Sequence, residues 1–283
     1  MIDALVRRAR WLLPPLIVAL LLPLASPWLH GRGGRIAWLL DLAVHWQWLY
    51  AIAVVPVVML CGWHDRRWWP LGLLALLPWW TAPPRLPTTT ETAQLAPFRL
   101  ISANVHLHTA SPERLIAWTD AAPADVLVLL EVSPTYARAL AEWSDYPHRV
   151  VAPGSDPFGI AVLSRHPFAS QAILHDPRGI ASIDVAIDTP QGCVALRALH
   201  PMPPISPGEN VRRDLALAAA LAAADRPEVP SVIAGDFNAT PWSSGFAPFT
   251  AAGWRRATGL APTWSVRGGG VIGIPIDHIV ASR

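Results

Sequence analysis

Three uncharged runs of 17 or 18 residues, at positions 12–29, 46–63 and 68–84, fall within the first third of this 283-residue chain. A helix needs about 20 apolar residues to cross the hydrocarbon core of a bilayer, and each run approaches that length. Ten of the 15 Trp lie before residue 85, several at the edges of these runs. An indole ring with one wet and one dry side suits the headgroup layer, and membrane helices tolerate the prolines inside the runs. The first 84 residues therefore read as a membrane anchor of three transmembrane helices. A cleaved signal peptide is the competing reading of the first run, because "RRAR" precedes an apolar core. Two further runs of the same kind argue against simple secretion.

Arginine placement sets the orientation. Arg7, Arg8 and Arg10 precede the first run, Arg32 and Arg35 follow it, Arg66 and Arg67 follow the second, and Arg85 follows the third. With a cytoplasmic N-terminus, five Arg lie inside and three outside, the direction expected of positive charge. The expectation is a multi-pass cell-membrane protein, in contact with the lipid bilayer through residues 12–84, whose C-terminal part lies outside the cytoplasm. Cys61 and Cys193 form no disulfide pattern. Nothing in the pattern sets an oligomeric state.

Residues 81–97, "TAPPRLPTTTETAQLAP", are Pro/Thr-rich without apolar periodicity, which places a linker at 85–97. Residues 98–283 are then a separate domain, large enough for a two-layer core. It carries 14 Arg against 16 Asp and Glu, a net −2, and the chain has no Lys. A surface that tracks a phosphate backbone has a basic excess, so long nucleic acid is disfavoured as a partner.

Within this domain apolar patterning predicts strands at 98–105, 125–132, 158–164, 181–187, 192–200, 230–236 and 274–282, with helices at 111–121, 133–143 and 210–224. Ser-Pro opens the first two helices. Several strand-to-strand connections favour an α/β sandwich of two packed sheets with helices outside.

Several of these strands end on polar residues: Asn104, Glu131, His200, Asp236 with Asn238, and Asp277 with His278. A solvated turn explains any one of them. It explains poorly why apolar runs repeatedly deliver charge to their ends, where unpaired groups at a core edge are costly. A ligand at the strand ends explains the set. Glu131 and Asp277 offer the hard oxygens that Mg²⁺ or Mn²⁺ prefers, Asn104 can orient a carboxylate or contact a phosphate oxygen, and Asp236 can take a proton from water.

The segments "ISANVH", "VLVLLEV", "GIAVLSRHP", "RALHPMPP", "VIAGDFNATPW" and "PIDHIVAS", in this order over residues 98–283, resemble the endonuclease/exonuclease/phosphatase superfamily with its deoxyribonuclease-I-like fold. The resemblance implies a four-layered α/β sandwich and metal-dependent hydrolysis of phosphate mono- or diesters. By motif it makes Asn104 and Glu131 the metal-side pair, and Asp277 a further metal-linked or His-orienting carboxylate. His200 would contact phosphate, Asp236 would orient or deprotonate the attacking water, Asn238 would bind a phosphate oxygen, and His278 would stabilise the phosphoryl group or the leaving side. Arg256 stands where many members carry an acidic residue, and His106 where some nucleases do.

His106 and His108 have zinc-like His-x-His spacing but no further ordered ligands, and read as a polar rim. Arg212 and Arg213 read as a solvated helix face. "RGGGVIG" at 267–273 lacks a strand-to-helix context for phosphate binding and reads as a loop. Trp264 reads either as packing under the site or as core. The functional expectation is a membrane-anchored phosphoesterase, with a lipid-linked phosphate as an attractive substrate. The alternatives are a nuclease on small or single-stranded substrates and a catalytically silent binding module.

Overall fold

The computed structural model describes residues 2–87, 98–224, 228–266 and 272–282. The N-terminal part comprises α1 (Ile2–Leu21), a 3-10 turn leading into α2 (Ser26–Leu29), α3 (Arg35–Val44), α4 (Gln47–His64), an eleven-residue 3-10 segment (Arg66–Leu76) and α5 (Leu77–Thr81). Gln47 Nε2 donates to the Ala19 carbonyl at 2.9 Å, while the Arg10 guanidinium lies 5.7 Å from the Trp68 ring centre. The first rod and α4 are thus antiparallel. The 3-10 segment and α5 retrace α4: Trp69 abuts Gly62, Gly72 faces Val58, and the Trp79 ring meets Trp48 edge-on at 4.4 Å.

Two helices, Ala4–Leu29 and Gln47–His64, are long and apolar enough to cross a membrane, and only 22% and 33% of the respective spans are buried. The third predicted transmembrane helix, 68–84, does not form as such. Pro70 and Pro78 remove backbone donors there, and a 3-10 rod followed by five residues of α5 takes its place. At about 2.0 Å per 3-10 residue and 1.5 Å per α residue, that rod reaches roughly 30 Å, comparable with α4 despite the missing helix.

The remaining elements are β1 (Leu100–Asn104), α6 (Glu113–Ala121), β2 (Val126–Leu130), α7 (Pro134–Ala141), β3 (His148–Ala152), β4 (Ile160–Ser164), β5 (Phe168–His175), β6 (Ala181–Thr189), β7 (Gly192–Leu199), α8 (Pro207–Ala224), β8 (Ser231–Asp236), α9 (Ala247–Ala251), β9 (Arg255–Arg256), β10 (Trp264–Ser265), β11 (Gly273–Ile274) and β12 (Asp277–Ala281). One mixed sheet has the order β1-β2-β4-β3 and the other β5-β6-β7-β8-β12-β9, with β10-β11 a separate hairpin. Val128, Leu130 and Val162 of the first sheet pack against Ile183, Leu196 and Ala234 of the second to form the central core. The outer face of the first sheet is covered by Tyr136 and Leu140 of α7 and Leu115 of α6, and that of the second by Leu217 of α8 and Phe249 of α9. The result is four layers, the α/β sandwich of two packed sheets flanked by helices that the sequence predicts.

The N-terminal helices are joined to the sandwich by a buried polar hub. Arg213 was expected to be solvated; it is fully buried, and its Nη2 donates to Asp41 of α3 at 2.8 Å and to Asp214 at 2.6 Å. Its Nη1 reaches the Asn238 carbonyl at 3.1 Å. Ser244 closes the hub, its N–H donating to Asp41 at 2.7 Å and its hydroxyl to Asp214 at 2.7 Å. Burial alone would raise Asp41, yet Arg213 and the neighbouring His45 hold its carboxyl below the usual range. The neighbouring Arg212 behaves as expected, half exposed and paired with Glu209.

Arg256 is likewise structural. It is buried, with its guanidinium donating to the carbonyls of Pro83, Thr258 and Gly259 at 3.0–3.1 Å. Backbone bonds between Arg256 and residues Pro84 and Leu86 pin the start of the expected linker to the sheet edge. Most of that linker, 88–97, lies outside the described residues.

Candidate active site

Topology gathers the polar strand ends. β1 and β2 are parallel, β7 and β8 are parallel, and β12 runs antiparallel to β8, so Asn104, Glu131, His200, Asp236 and Asp277 meet at one end of the sandwich. Asn104, Glu131, His200, Asp236 and Asn238 all line a cleft of about 820 Å³. Asn104 Nδ2 donates to Glu131 Oε1 at 2.8 Å, and the Leu107 N–H to Glu131 Oε2 at 2.9 Å. Asp236 Oδ1 accepts from the Asn238 N–H at 2.8 Å, while Oδ2 faces His200 Nε2 at 3.7 Å. One amide hydrogen of Asn238 goes to the Pro201 carbonyl at 2.9 Å.

The backbone is strained at this site. His106, Glu131 and Asn238 are the non-glycine residues with positive φ among those described, at 64°, 61° and 47°. Such conformations persist where surrounding structure dictates them, and here they turn side chains at the ends of strands. Gly235, beside Asp236, has φ +145°, and a Cβ there would stand 2.0 Å from the Leu199 carbonyl oxygen. Any side chain would push β7 and β8 apart just where His200 and Asp236 emerge.

Asp236 and Asp277 are direct cross-strand partners, so their side chains share a face. Burial, then the Asp277 charge and the more distant Glu131, push Asp236 well above the usual carboxylate range. Asp277 is raised too, by burial and by Glu131. It borders an adjoining cavity with Ser102 and Thr263, and its Oδ1 is buried with no hydrogen-bond partner.

His278 does not line the main cleft, although it borders the adjoining cavity with Asp277. It pairs with Gly235, one residue out of phase with Asp277, and its side chain enters the core on the other face. There it is fully buried against Phe237 and Phe246, and Nε2 donates to the Ala239 carbonyl at 2.9 Å. His106 and His108 are exposed neighbours outside the cleft lining, and the described residues include no group of three His, Cys, Asp or Glu that holds a metal by itself. Most of the glycine-rich segment, 267–271, lies outside the described residues. Trp264 stands half exposed at the cleft wall rather than in the core.

One wall of the cleft, not foreshadowed by the strand-end pattern, is contributed by the N-terminal helices. Trp38 and Leu42 of α3, with His45 and Trp46 just after it, form one wall of the cleft. Trp38 Nε1 donates to the Pro204 carbonyl at 2.7 Å, and His45 Nδ1 accepts from the Thr240 N–H at 3.3 Å. The only forward signal was Asp41, a charge inside an otherwise apolar stretch.

Burial pushes His45 down to about 4 and His278 down to about 3. Both are neutral in the fold, whereas an unfolded His titrates near 6.5. Their depressed folded-state values give stability that is present above about pH 6.5 and lost as pH falls toward 3–4. Melting temperature is therefore expected to drop already between pH 6.5 and 5, above the range of ordinary carboxylates. A flat melting profile across that interval would contradict the buried neutral state.

Residues 101–283 match the Endonuclease/Exonuclease/phosphatase family. The chain belongs to this family. As a member of the Endonuclease/Exonuclease/phosphatase family it is a phosphoester-hydrolysing enzyme. No curated protein sequence matches it. Among solved structures, a humanized D. rerio TDP2 aligns with a TM-score of 0.54 at 16% identity, covering 65% of this chain and 82% of its own. D. rerio TDP2 complexed with a single strand DNA product gives 0.54 at 17%, covering 65% and 83%. TDP2 from C. elegans gives 0.50 at 14%, covering 60% and 58%. At these identities the likeness is one of fold, and substrate has to be argued from the cleft.

Proposed function

We propose that this enzyme is a membrane-anchored, metal-assisted phosphoesterase acting on a phosphate mono- or diester, with a lipid-linked phosphate as substrate. The observation that carries the reading is the carboxylate cluster: Asp236 opposite Asp277, with Glu131 close enough to raise both. Like charges held together by a fold, one of them with a buried and unpartnered oxygen, fit a hard cation bound through one or two carboxylates and water. Glu131 and Asp277 would hold Mg²⁺ or Mn²⁺, with Asn104 orienting Glu131. When bound, such an ion supplies Lewis acidity and offsets the charge of the phosphate.

The protein's own groups supply position and proton transfer. Asp236 is fixed through Oδ1, leaving Oδ2 to orient the attacking water and take its proton. Burial lowers His200 against a smaller opposing effect of Glu131, so it meets a phosphate oxygen as a neutral imidazole. Asn238 keeps a second amide hydrogen for the same oxygen set, and fixed donors of this kind stabilise charge without reorganisation. The anchor reading is supported by the three antiparallel rods and their exposed Trp11, Trp28, Trp63 and Trp80. Arg10 and Trp68 mark the end remote from the sandwich, which also carries Arg7, Arg8, Arg66 and Arg67; the five-to-three Arg bias then favours an extracytoplasmic cleft.

The full-length protein in detergent is expected to hydrolyse a generic aryl phosphodiester or monoester, to lose that activity in EDTA and to regain it with Mg²⁺ or Mn²⁺. Turnover indifferent to chelation would remove the metal from the reading, and absence of turnover on both esters would remove the reading itself. The second reading, hydrolysis of short single-stranded nucleic acid, is favoured by Trp38 and Trp264 in the cleft, since bases stack on such rings. Steep loss of activity with salt would favour it.

A further inference from the structure

We infer that the apolar half of the cleft is a hydrocarbon-chain subsite, so that the substrate carries its phosphate on an aliphatic chain that the anchor helix α3 helps to bind. The inference rests on the phosphoesterase reading and specifies its substrate. Three observations carry it. First, the lining divides by chemistry. Glu131, Asp236, His200 and Asn238 come from the strand ends, and most of the remaining lining is apolar, including Trp38, Leu42, Trp46, Ile205, Trp264 and Ile274. At about 820 Å³ the cleft is far larger than a phosphate group requires.

Second, among the described residues no Arg lines the cleft, and the chain has no Lys. A strand of nucleic acid presents successive phosphates, each of which favours a cation, whereas one reacting phosphate needs only the cluster at the polar end. Third, the segments that line the cleft carry further exposed apolar side chains. Ile36 and Leu39 of α3 are 77% and 55% exposed, and Ile205 and Ile272 are 67% and 49% exposed. α3 stands in the chain between the two helices long enough to cross a bilayer, joined to each by a short connection. A hydrocarbon chain whose phosphate lies at Glu131 and Asp236 would meet these apolar side chains, and burial of apolar surface would supply the affinity.

The test uses full-length protein with 4-nitrophenyl phosphodiesters whose second ester group is methyl, butyl, octyl or thymidine, each kept monomeric. From methyl to octyl, kcat/KM is expected to rise by roughly threefold to fourfold per methylene until the cleft is filled. The octyl-to-methyl ratio is expected to fall at least tenfold in Leu42→Asn. The thymidine ester is expected to do no better than the methyl ester. The wild-type series decides the matter even if that variant fails to fold. A flat series with turnover intact would overturn the subsite and leave the phosphoesterase reading standing. Preference for the thymidine ester would overturn it in favour of nucleotide binding, and no turnover of any ester would overturn both.

Discussion

Asp236→Asn is expected to lose about 10²–10⁴-fold in kcat, the usual range for removing a positioned acid or base, while the folded protein becomes more stable in chelator. The two effects have one cause. Asp236 is buried opposite Asp277, and burial with that neighbouring charge already pushes its carboxyl well above the usual range. The amide keeps the shape and still accepts from the Asn238 N–H, but it carries no charge to repel Asp277 and takes no proton from water. Activity assays and thermal melts in EDTA check both halves. A variant within tenfold of wild type would remove Asp236 from the chemistry. A lower melting temperature in EDTA would show that the carboxylate pair is not in conflict.

Arg213→Met should cost about 3–5 kcal/mol, because it leaves Asp41 and Asp214 buried without their shared cation. At about 2–4 °C per kcal/mol for a domain of this size, the melting temperature would fall by roughly 10 °C. The loss reaches beyond stability. Arg213 also donates to the Asn238 carbonyl, so the turn carrying Asp236 and Asn238 loses a fixed support and α3 loses its tie to the sandwich. Adding Asp41→Asn and Asp214→Asn should recover part of the melting temperature, since it removes the stranded charges. Failure of that recovery, or a shift below about 2 °C for Arg213→Met alone, would contradict the hub.

The sandwich was legible because most of its strands have one strongly apolar face, and the polar residues that end them break an otherwise regular pattern. β5 escaped notice because nearly all of its residues are exposed, leaving no alternation to read. The "DH" pair was legible as a feature but not as a geometry. Adjacent residues on a strand face opposite ways, and only the register with β8 reveals that Asp277 shares Asp236's face while His278 enters the aromatic core. Arg213 was misread because helical periodicity describes an element alone. Its partner Asp41 is 172 positions away, and nothing in "NVRRDLALAAA" distinguishes it from the solvated Arg212. The third rod was misjudged because length and hydropathy imply a helix, whereas Pro70 and Pro78 select a steeper path over the same distance.

The hub between α3 and α8 also limits how the enzyme can search. A catalytic domain on a loose tether sweeps a hemisphere and can seize molecules from solution at many heights. Here the cleft shares a wall with the N-terminal helices, so in the membrane-anchored reading proposed above its height and tilt would be set by the rods beneath it. For an enzyme so held in a bilayer, encounter becomes a two-dimensional problem: the rate is governed by surface density and lateral diffusion of the substrate, and concentration in bulk water counts only through what it deposits on the membrane.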